Sequence, residues 1–461
     1  MDQIDFLGAP PDRGRTAWLA DGLRAAVVAG RLPAGARLPA TRVLAGELGV
    51  SRGVVVEAYQ RLTDEGLLSG RTGAGTRVTA RAPRPRGGPA RQEPGGLRLP
   101  QRPSPDIELD LSPGVPDLSA FPRAAWLRAE RTVLAEVTSA DLGYGDPRGT
   151  PRLRAELATW LARTRGVRAG ADDIIVVNGV AQALALLCQT SRARGVDAWG
   201  VEDPGSRGSQ DELRHWGVRA VPVPVDAHGL RVPELTATDL EAVLLTPAHQ
   251  FPTGVVLSPR RRLALLDWPG LIIEDDYDAE HRYDRAPVAA MQASAPERIA
   301  YCGSVSKSLA PGMRLGWLIA PRHLHADLVT AKHASDLGNP ALPQLILARL
   351  LATGDHDRHL RTVRRRQRRH RDALVTALHE HVPAACVEGV AAGLHVLITL
   401  PGDLDDTVLA GHIAAAGVRV QPLSWHRQAP GPPGLVIGYA AHPPDRLQEA
   451  VRRIGAALRQ A

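Results

Sequence analysis

Residues 303 to 317 read GSVSKSLAPGMRLGW, and the lysine in that stretch, Lys307, decides how the rest of the chain is read. The sequence carries 56 Lys+Arg in 461 residues, yet only Lys307 and Lys332 are lysines, so arginine does nearly all the cationic work. Arginine can hold a surface charge or a phosphate but does not lose its proton to attack an aldehyde. A lysine amine does, and forms a Schiff base. One of the two lysines is therefore a candidate for that chemistry. Lys307 ends a strand-like run, RIAYCGSVSK (298–307), and is followed by another, RLGWLIAP (314–321); Lys332 has no such setting and reads as a surface charge.

On either side of this stretch lie further buried-strand candidates: DIIVVNG (173–179), DAWGVEDPG (197–205), EAVLLTP (241–247) and LIIEDD (271–276). Amphipathic helical patterns separate several of them, and that alternation implies a mostly parallel sheet covered on both faces. A helix-rich stretch follows from about 340 to 380, and an α/β remainder from about 386 to 461 forms a smaller lobe. A chain of 461 residues exceeds one ordinary core, so at least two folded units are expected.

The second unit precedes the first. Residues 12 to 80 read as three short helices and a hairpin. The first helix, near 16–29, aligns Leu19, Leu23, Ala26 and Val27 and closes at Gly30; the second, near 41–48, stops at Gly49. Ser51 suits the N-cap of a third helix, along which Val55, Ala58, Tyr59 and Leu62 recur at helical spacing up to Gly66. Two helices joined by a tight glycine turn make a helix-turn-helix, and LLSGRTGAGTRV (67–78) supplies a two-stranded wing. Residues 81 to 105, dense in Pro, Gly and Arg, read as a partly extended linker.

Charge agrees with this division. Residues 11–80 hold ten Arg against six acids and residues 81–105 hold six Arg against one, while the N-terminal ten residues carry two Asp; the remainder therefore balances at 40 against 40 within the total of +7. An excess confined to the first quarter is the footprint of a module that meets phosphates. Cys188, Cys302 and Cys386 are too few and too far apart for a disulfide framework or a zinc site, so reduced thiols are expected. With no 18-residue apolar run and no secretory leader pattern, the expected location is cytoplasmic, without a membrane partner. The acids of LIIEDDYDAEHRYD (271–284) are not read as a metal site.

The segment from 32 to 78, with its LP…R…LA…LGVSR run followed by EG-L and a G-x-GT-V wing, resembles the GntR family of winged-helix regulators. The resemblance implies double-stranded operator DNA as a partner, with Arg42, Ser51 and Arg52 reaching it and Thr72 and Gly73 in the wing. Gly53 departs from the family's usual threonine or arginine and removes one base contact.

From about 110 to 455 the chain resembles fold-type-I aminotransferases, most strongly through GSVSKSLAPGMRLGW. That resemblance implies pyridoxal 5′-phosphate (PLP) bound to Lys307 as a Schiff base, its phosphate held by Ser304, Ser306 and Arg314. Asp275, 32 positions before the lysine, would pair with the pyridine nitrogen and keep it protonated, and Tyr277 would reach the ring hydroxyl. Asp276 is the alternative, since the register is open by one. VVNGVAQALALL (176–187) matches the phosphate loop, with Asn178 and Gly179 before a helix whose first N–H groups, Val180 and Ala181, face the anion. GYGDPRGTPRLR (143–154), with Tyr144, resembles the segment that reaches the neighbouring subunit's site, which implies a homodimer.

A GntR head joined to an aminotransferase-like body identifies the chain as a member of the MocR subfamily. The implied architecture is multi-domain: an N-terminal α+β winged helix-turn-helix (11–80), the linker (81–105) and an α/β PLP-binding domain (106–461) with a smaller C-terminal lobe. The implied function is PLP-dependent transcription regulation, with an amino compound or PLP itself as effector. The rival readings are a working aminotransferase with an appended DNA-binding head, and a body that serves only as a dimerisation scaffold. Three departures bear on turnover: Ser206 stands where an aromatic commonly stacks on the ring, Phe251 where aminotransferases carry the Asn of N-P-T-G, and Val436 where many place an arginine for a substrate carboxylate. The run RTVRRRQRRHR (361–371) lies on a helix, as a solvated face or a second DNA-contacting surface.

Overall fold

The structure is a computed structural model that describes residues 7–71, 75–79, 106–283 and 288–459. The chain divides into two compact units, at about Pro94.

In the N-terminal unit, α1 (Arg15–Val28), α2 (Thr41–Leu48) and α3 (Arg52–Asp64) precede an antiparallel hairpin of β1 (Leu68–Arg71) and β2 (Gly75–Val78). The apolar positions at helical spacing converge: Leu19, Leu23, Leu44, Val55, Ala58 and Leu62 form one buried core. Gly49 adopts φ 63°, the left-handed conformation that ends α2 with little steric cost, and the Ser51 hydroxyl accepts from Val54 N–H to start α3. Tyr59 on α3 ties down the segment that leads into α2 by donating its hydroxyl to Pro39 O at 3.0 Å.

The second unit opens with β3 (Leu109–Asp110), α4 (Arg123–Glu136) and α5 (Pro151–Arg165). Alternating elements follow: β4 (Ile174–Val177), α6 (Val180–Ala193), β5 (Ala198–Asp203), α7 (Arg207–His215), β6 (Arg219–Asp226), β7 (Gly229–Leu230), α8 (Val232–Thr236), β8 (Ala242–Leu245), α9 (Pro259–Asp267), β9 (Leu271–Asp276), β10 (Ile299–Ser304) and β11 (Gly316–Ile319). Their eight strands form one sheet in the order β4-β11-β10-β9-β8-β5-β6-β7. It is parallel from β10 to β6, and β11 is antiparallel to both of its neighbours. Successive residues serve opposite faces: Ile175 and Val177 join the core with Leu184, Trp199 and Leu328, while Ile174 and Val176 join that with Trp160, Trp317 and Leu347. Both faces are covered, which explains why the strands read as continuous apolar runs.

Three helices come next, α10 (Arg322–Asp336), α11 (Ala341–Ala352) and the 27-residue α12 (Asp355–His381). The smaller lobe holds β12 (Cys386–Glu388), β13 (His395–Thr399), α13 (Asp406–Ala415), β14 (Val418–Arg419), β15 (Gln421–Pro422), β16 (Gly434–Gly438) and α14 (Pro444–Leu458). Its antiparallel sheet runs β12-β13-β16-β15. The lobe also takes in chain from outside 386–461: β3 pairs with β14, and Leu109, Leu111, Leu374 and Leu378 belong to its core. Among the described residues no helix is long and apolar enough to cross a membrane.

Candidate functional site

On the N-terminal unit, Arg42, Ser51 and Arg52 are exposed at the start of α2 and α3. Neither Arg42 nor Arg52 has an ion-pair partner among the described residues, whereas Arg24 on α1 is held by Glu65 at 2.6 Å and by Asp21. The start of α3 thus presents an uncommitted guanidinium and free backbone N–H groups to solvent, a surface suited to phosphates and base edges. Thr72 and Gly73 lie outside the described residues.

In the larger unit the site forms where β9, β10 and the turn into α6 end side by side. At the end of β9, alternation sends adjacent carboxylates to opposite faces of the sheet. Asp276 meets Arg165 Nε at 2.6 Å and its terminal nitrogen at 3.1 Å, and also accepts from the Tyr301 hydroxyl. Asp275 has no such partner, and its Oδ1 is sealed from solvent without a hydrogen bond. Burial, and next the Asp276 charge, pushes its carboxyl up to about 7, opposed by the amine of Lys307. Asp275, not Asp276, therefore carries the unmet demand for a buried cationic donor.

Lys307 donates to the Gly114 carbonyl at 2.6 Å. Burial lowers its pKa, which favours the neutral, nucleophilic amine, while Asp278 and Asp275 act in the opposite direction. The Tyr277 hydroxyl lies 3.1 Å from His249 Nδ1, which also contacts Asp278 Oδ2 at 2.9 Å. Burial first, and then Asp278, holds the Tyr277 phenol well above its ordinary value, so it remains a proton donor.

A second cluster is built at the backbone. Gly179 takes φ 83°, and a Cβ there would lie 3.2 Å from the Arg314 guanidinium, which donates to Asn178 O. Glycine lets that guanidinium cover the N-terminus of α6, where no side chain caps the helix and Val180 and Ala181 offer their N–H groups. Gly316 keeps this turn against the end of β10: its Cβ position is 2.9 Å from Gly179 Cα and 3.2 Å from Ser304 Cβ. Ser304 Oγ accepts from Ser306 N–H at 3.3 Å and keeps its own proton for another acceptor. Hydroxyls, helix N–H groups and a guanidinium converge here as an anion cradle.

The cluster thus gathers Lys307, Asp275, Tyr277, Ser304, Ser306, Arg314, Gly179, Val180 and Ala181. Tyr144 stands apart: it is 94% exposed, on a loop with the exposed Leu142. Ser206 serves as the N-cap of α7, accepting from Ser209 N–H at 3.2 Å. Phe251 packs edge-on to Tyr277 and against His395 and His426, and Val436 is fully buried with Leu397 and Leu423. Lys332 corrects the reading as a surface charge. It is fully buried, and its Nζ is 2.6 Å from both carboxylate oxygens of Asp336, which also accepts from Asn178, Gln182 and Gly338.

Sequence reasoning missed His249, Asp278 and Gly114. His249 sits two residues before Phe251 and Asp278 three after Asp275, so segments already singled out held the signal for both. Gly114 lies 193 residues from Lys307 and has no motif of its own.

A doubly covered sheet with a lysine, an unpartnered aspartate and an anion cradle at its strand ends, joined to a winged helix-turn-helix, defines an aminotransferase-type body carrying a DNA-binding head. Family models agree: residues 106–454 match aminotransferase class I and II, a PLP-dependent fold, and residues 16–78 match the bacterial regulatory proteins of the gntR family. The chain is 33% identical over 458 residues to the probable rhizopine catabolism regulatory protein MocR of Rhizobium meliloti, covering 95% of this chain and 92% of that one. It is 35% identical to the pyridoxine biosynthesis transcriptional regulator PdxR of Corynebacterium glutamicum, covering 95% of each. The multiple substrate aminotransferase of Thermococcus profundus superposes with a TM-score of 0.71 at 26% identity, over 77% of this chain and 92% of that one. The chain belongs to the MocR-type regulators of the GntR family.

Proposed function

We propose that this protein is a transcription regulator whose head reads an operator and whose body holds PLP at Lys307, reporting an amino compound or PLP itself. The observation that carries the reading is the sealed, unpartnered Oδ1 of Asp275 beside an amine of lowered pKa, on a chain that also exposes uncommitted arginines on a helix-turn-helix.

The residues fit the cofactor. Asp275 would accept from the pyridine nitrogen, and the charge it gains there offsets its burial. Tyr277, oriented by His249 and Asp278, would donate to the ring hydroxyl. Ser304, Ser306, Arg314 and the N–H groups of Val180 and Ala181 would hold the phosphate. When bound, the group supplies an aldehyde carbon to which either Lys307 or an effector's primary amine can be joined. An effector amine in place of Lys307 would leave the lysine amine free to donate to the Gly114 carbonyl, and would change which contacts hold the two lobes. That difference in binding free energy is what shifts the population of DNA-binding states.

Phe251 and the buried Val436 leave these positions without the polar and cationic groups that many aminotransferases have there, which supports sensing over rapid turnover. The exposed Tyr144 and Leu142 suit the face of a homodimer in which Tyr144 reaches the partner's site. A regulator of this kind acts in the cytoplasm, where its operator is.

The test is fluorescence anisotropy of the full chain on a duplex from its own upstream region, without PLP, with PLP, and with PLP plus primary amines. Sequence-specific binding whose affinity or stoichiometry changes with PLP or an amine is expected. Weak, salt-sensitive binding identical in all states, with sustained conversion of an amino donor and a 2-oxo acid, would favour the enzyme instead.

A further inference from the structure

Outside its first 105 residues the chain is electrically balanced, yet α12 concentrates positive charge. Residues 355–371 hold eight Arg against Asp355 and Asp357. The helix buries His356, Leu360, Val363, Gln367, His370 and Leu374 against the body, so the arginines are driven to the other side. Arg358, Arg361, Arg365 and Arg368 follow one another at helical spacings of three, four and three, and with Arg364 and Tyr283 they line an open groove of about 560 Å³.

Among the described residues little neutralises this face. Arg358 pairs with Asp355 at 2.7 Å, Arg364 donates to the Glu280 carbonyl, and Arg368 is 3.9 Å from Asp372. Arg361 and Arg365 are exposed and have no acidic partner among the described residues. Like charges three and four apart on a helix destabilise it by roughly 0.2–0.5 kcal/mol per pair, and 361/364, 361/365, 364/368 and 365/368 all repel in this way. A merely solvated face would interleave acids throughout, whereas here they stand only at the two ends, Asp355, Asp357 and Asp372, with none from 359 to 367.

From Arg358 to Arg368 the stripe runs about 15 Å at the helical rise of 1.5 Å per residue. A DNA strand winds as it rises about 3.4 Å per phosphate along the duplex axis, so its phosphates lie farther apart in space and the stripe matches at most about three of one backbone. A small phosphate ligand calls for groups converging on a point, whereas these guanidiniums are drawn out in a line. We propose that the outer face of α12 is a second, sequence-independent DNA-backbone contact, with which the body engages duplex flanking the site read by the head. The proposal rests on the reading that the chain is a DNA-binding regulator.

The test compares the full-length protein with the triple variant R361A/R365A/R368A on a duplex limited to the operator and on one extended by about two helical turns at each end. Thermal stability that is unchanged or raised, with an unchanged PLP spectrum, establishes that the variant is folded, and the charge-preserving R361K/R365K/R368K serves as rescue. On the extended duplex the slope of log affinity against log salt is expected to fall by about two to three in the alanine variant, at roughly 0.9 per lost phosphate contact. Affinity there should drop at least tenfold, with little change on the short duplex and recovery in the lysine variant. Equal slopes and equal gains from extension in wild type and variant would overturn the proposal. So would stabilisation by tripolyphosphate that the variant loses without any change in salt slope, which assigns the groove to a small polyanion. Failure of the wild type to prefer its own upstream duplex would contradict the regulator reading itself, and non-specific binding would still report whether α12 touches DNA.

Discussion

The two faces of β9 hold carboxylates one residue apart and treat them in opposite ways. On one face Asp276 is locked to Arg165 and Tyr301, with the Arg165 and Asp276 side chains 0% and 1% exposed. On the other, Asp275 is left with a sealed oxygen and no donor. The two lysines repeat the contrast: Lys332 is saturated by Asp336, while Lys307 has a single carbonyl. So do the arginines of the head, Arg24 paired and Arg52 without an ion-pair partner among the described residues. Asp276, Lys332 and Arg24 are satisfied within the fold, whereas the residues proposed to meet a ligand, Asp275, Lys307 and Arg52, have few or no partners among the described residues.

The largest effect should come from breaking the satisfied face. Asp276→Ala strands a buried guanidinium and is expected to destabilise the protein by about 3–5 kcal/mol in denaturant unfolding, while Asp275→Asn leaves stability unchanged or raised and weakens PLP retention. A comparable loss in both variants would erase the distinction. Lys332→Ala removes one of several donors to Asp336, so a smaller loss of about 1–3 kcal/mol is expected, with PLP still bound. In the head, Arg52→Ala should reduce operator affinity by about 1–3 kcal/mol while moving the melting temperature little. A variant that melted early instead would make Arg52 structural.

The finest test is the pH dependence of the PLP-free protein. A carboxyl raised to about 7 in the fold, from about 3.9 when unfolded, binds its proton more tightly in the folded state. Its contribution is therefore present at pH 4 and lost as pH rises towards 7, with a slope of at most about 1.4 kcal/mol per pH unit. Asp275→Asn should remove that share of the slope between pH 4 and 7. His395 and His426, lowered by burial to about 3 and about 4, act in the opposite direction and are common to both proteins. Identical slopes would mean that Asp275 is not raised.

Much of this was legible in the residues. The scarcity of lysine narrows the candidates to Lys307 and Lys332, the strand setting favours Lys307, and period-3.6 and continuous apolar runs mark the helices and the covered sheet. The choice between Asp275 and Asp276 was not legible, because adjacent strand residues differ only in the face they meet and Arg165 lies 111 positions away. Lys332 misled for the same reason: Asn178 and Gln182, which fix its partner Asp336, are more than 150 residues distant. The two-residue strand β3 is too short to carry any periodicity, so its place in the smaller lobe emerges only from pairing.

The most direct measurement is the absorbance spectrum after loading with PLP and gel filtration, taken on wild type, Lys307→Ala and Lys332→Ala. Wild type and Lys332→Ala are expected to retain a visible band that shifts on adding a primary amine, and Lys307→Ala to lose it. Loss of PLP from the wild type, or the same band in Lys307→Ala, would contradict the account.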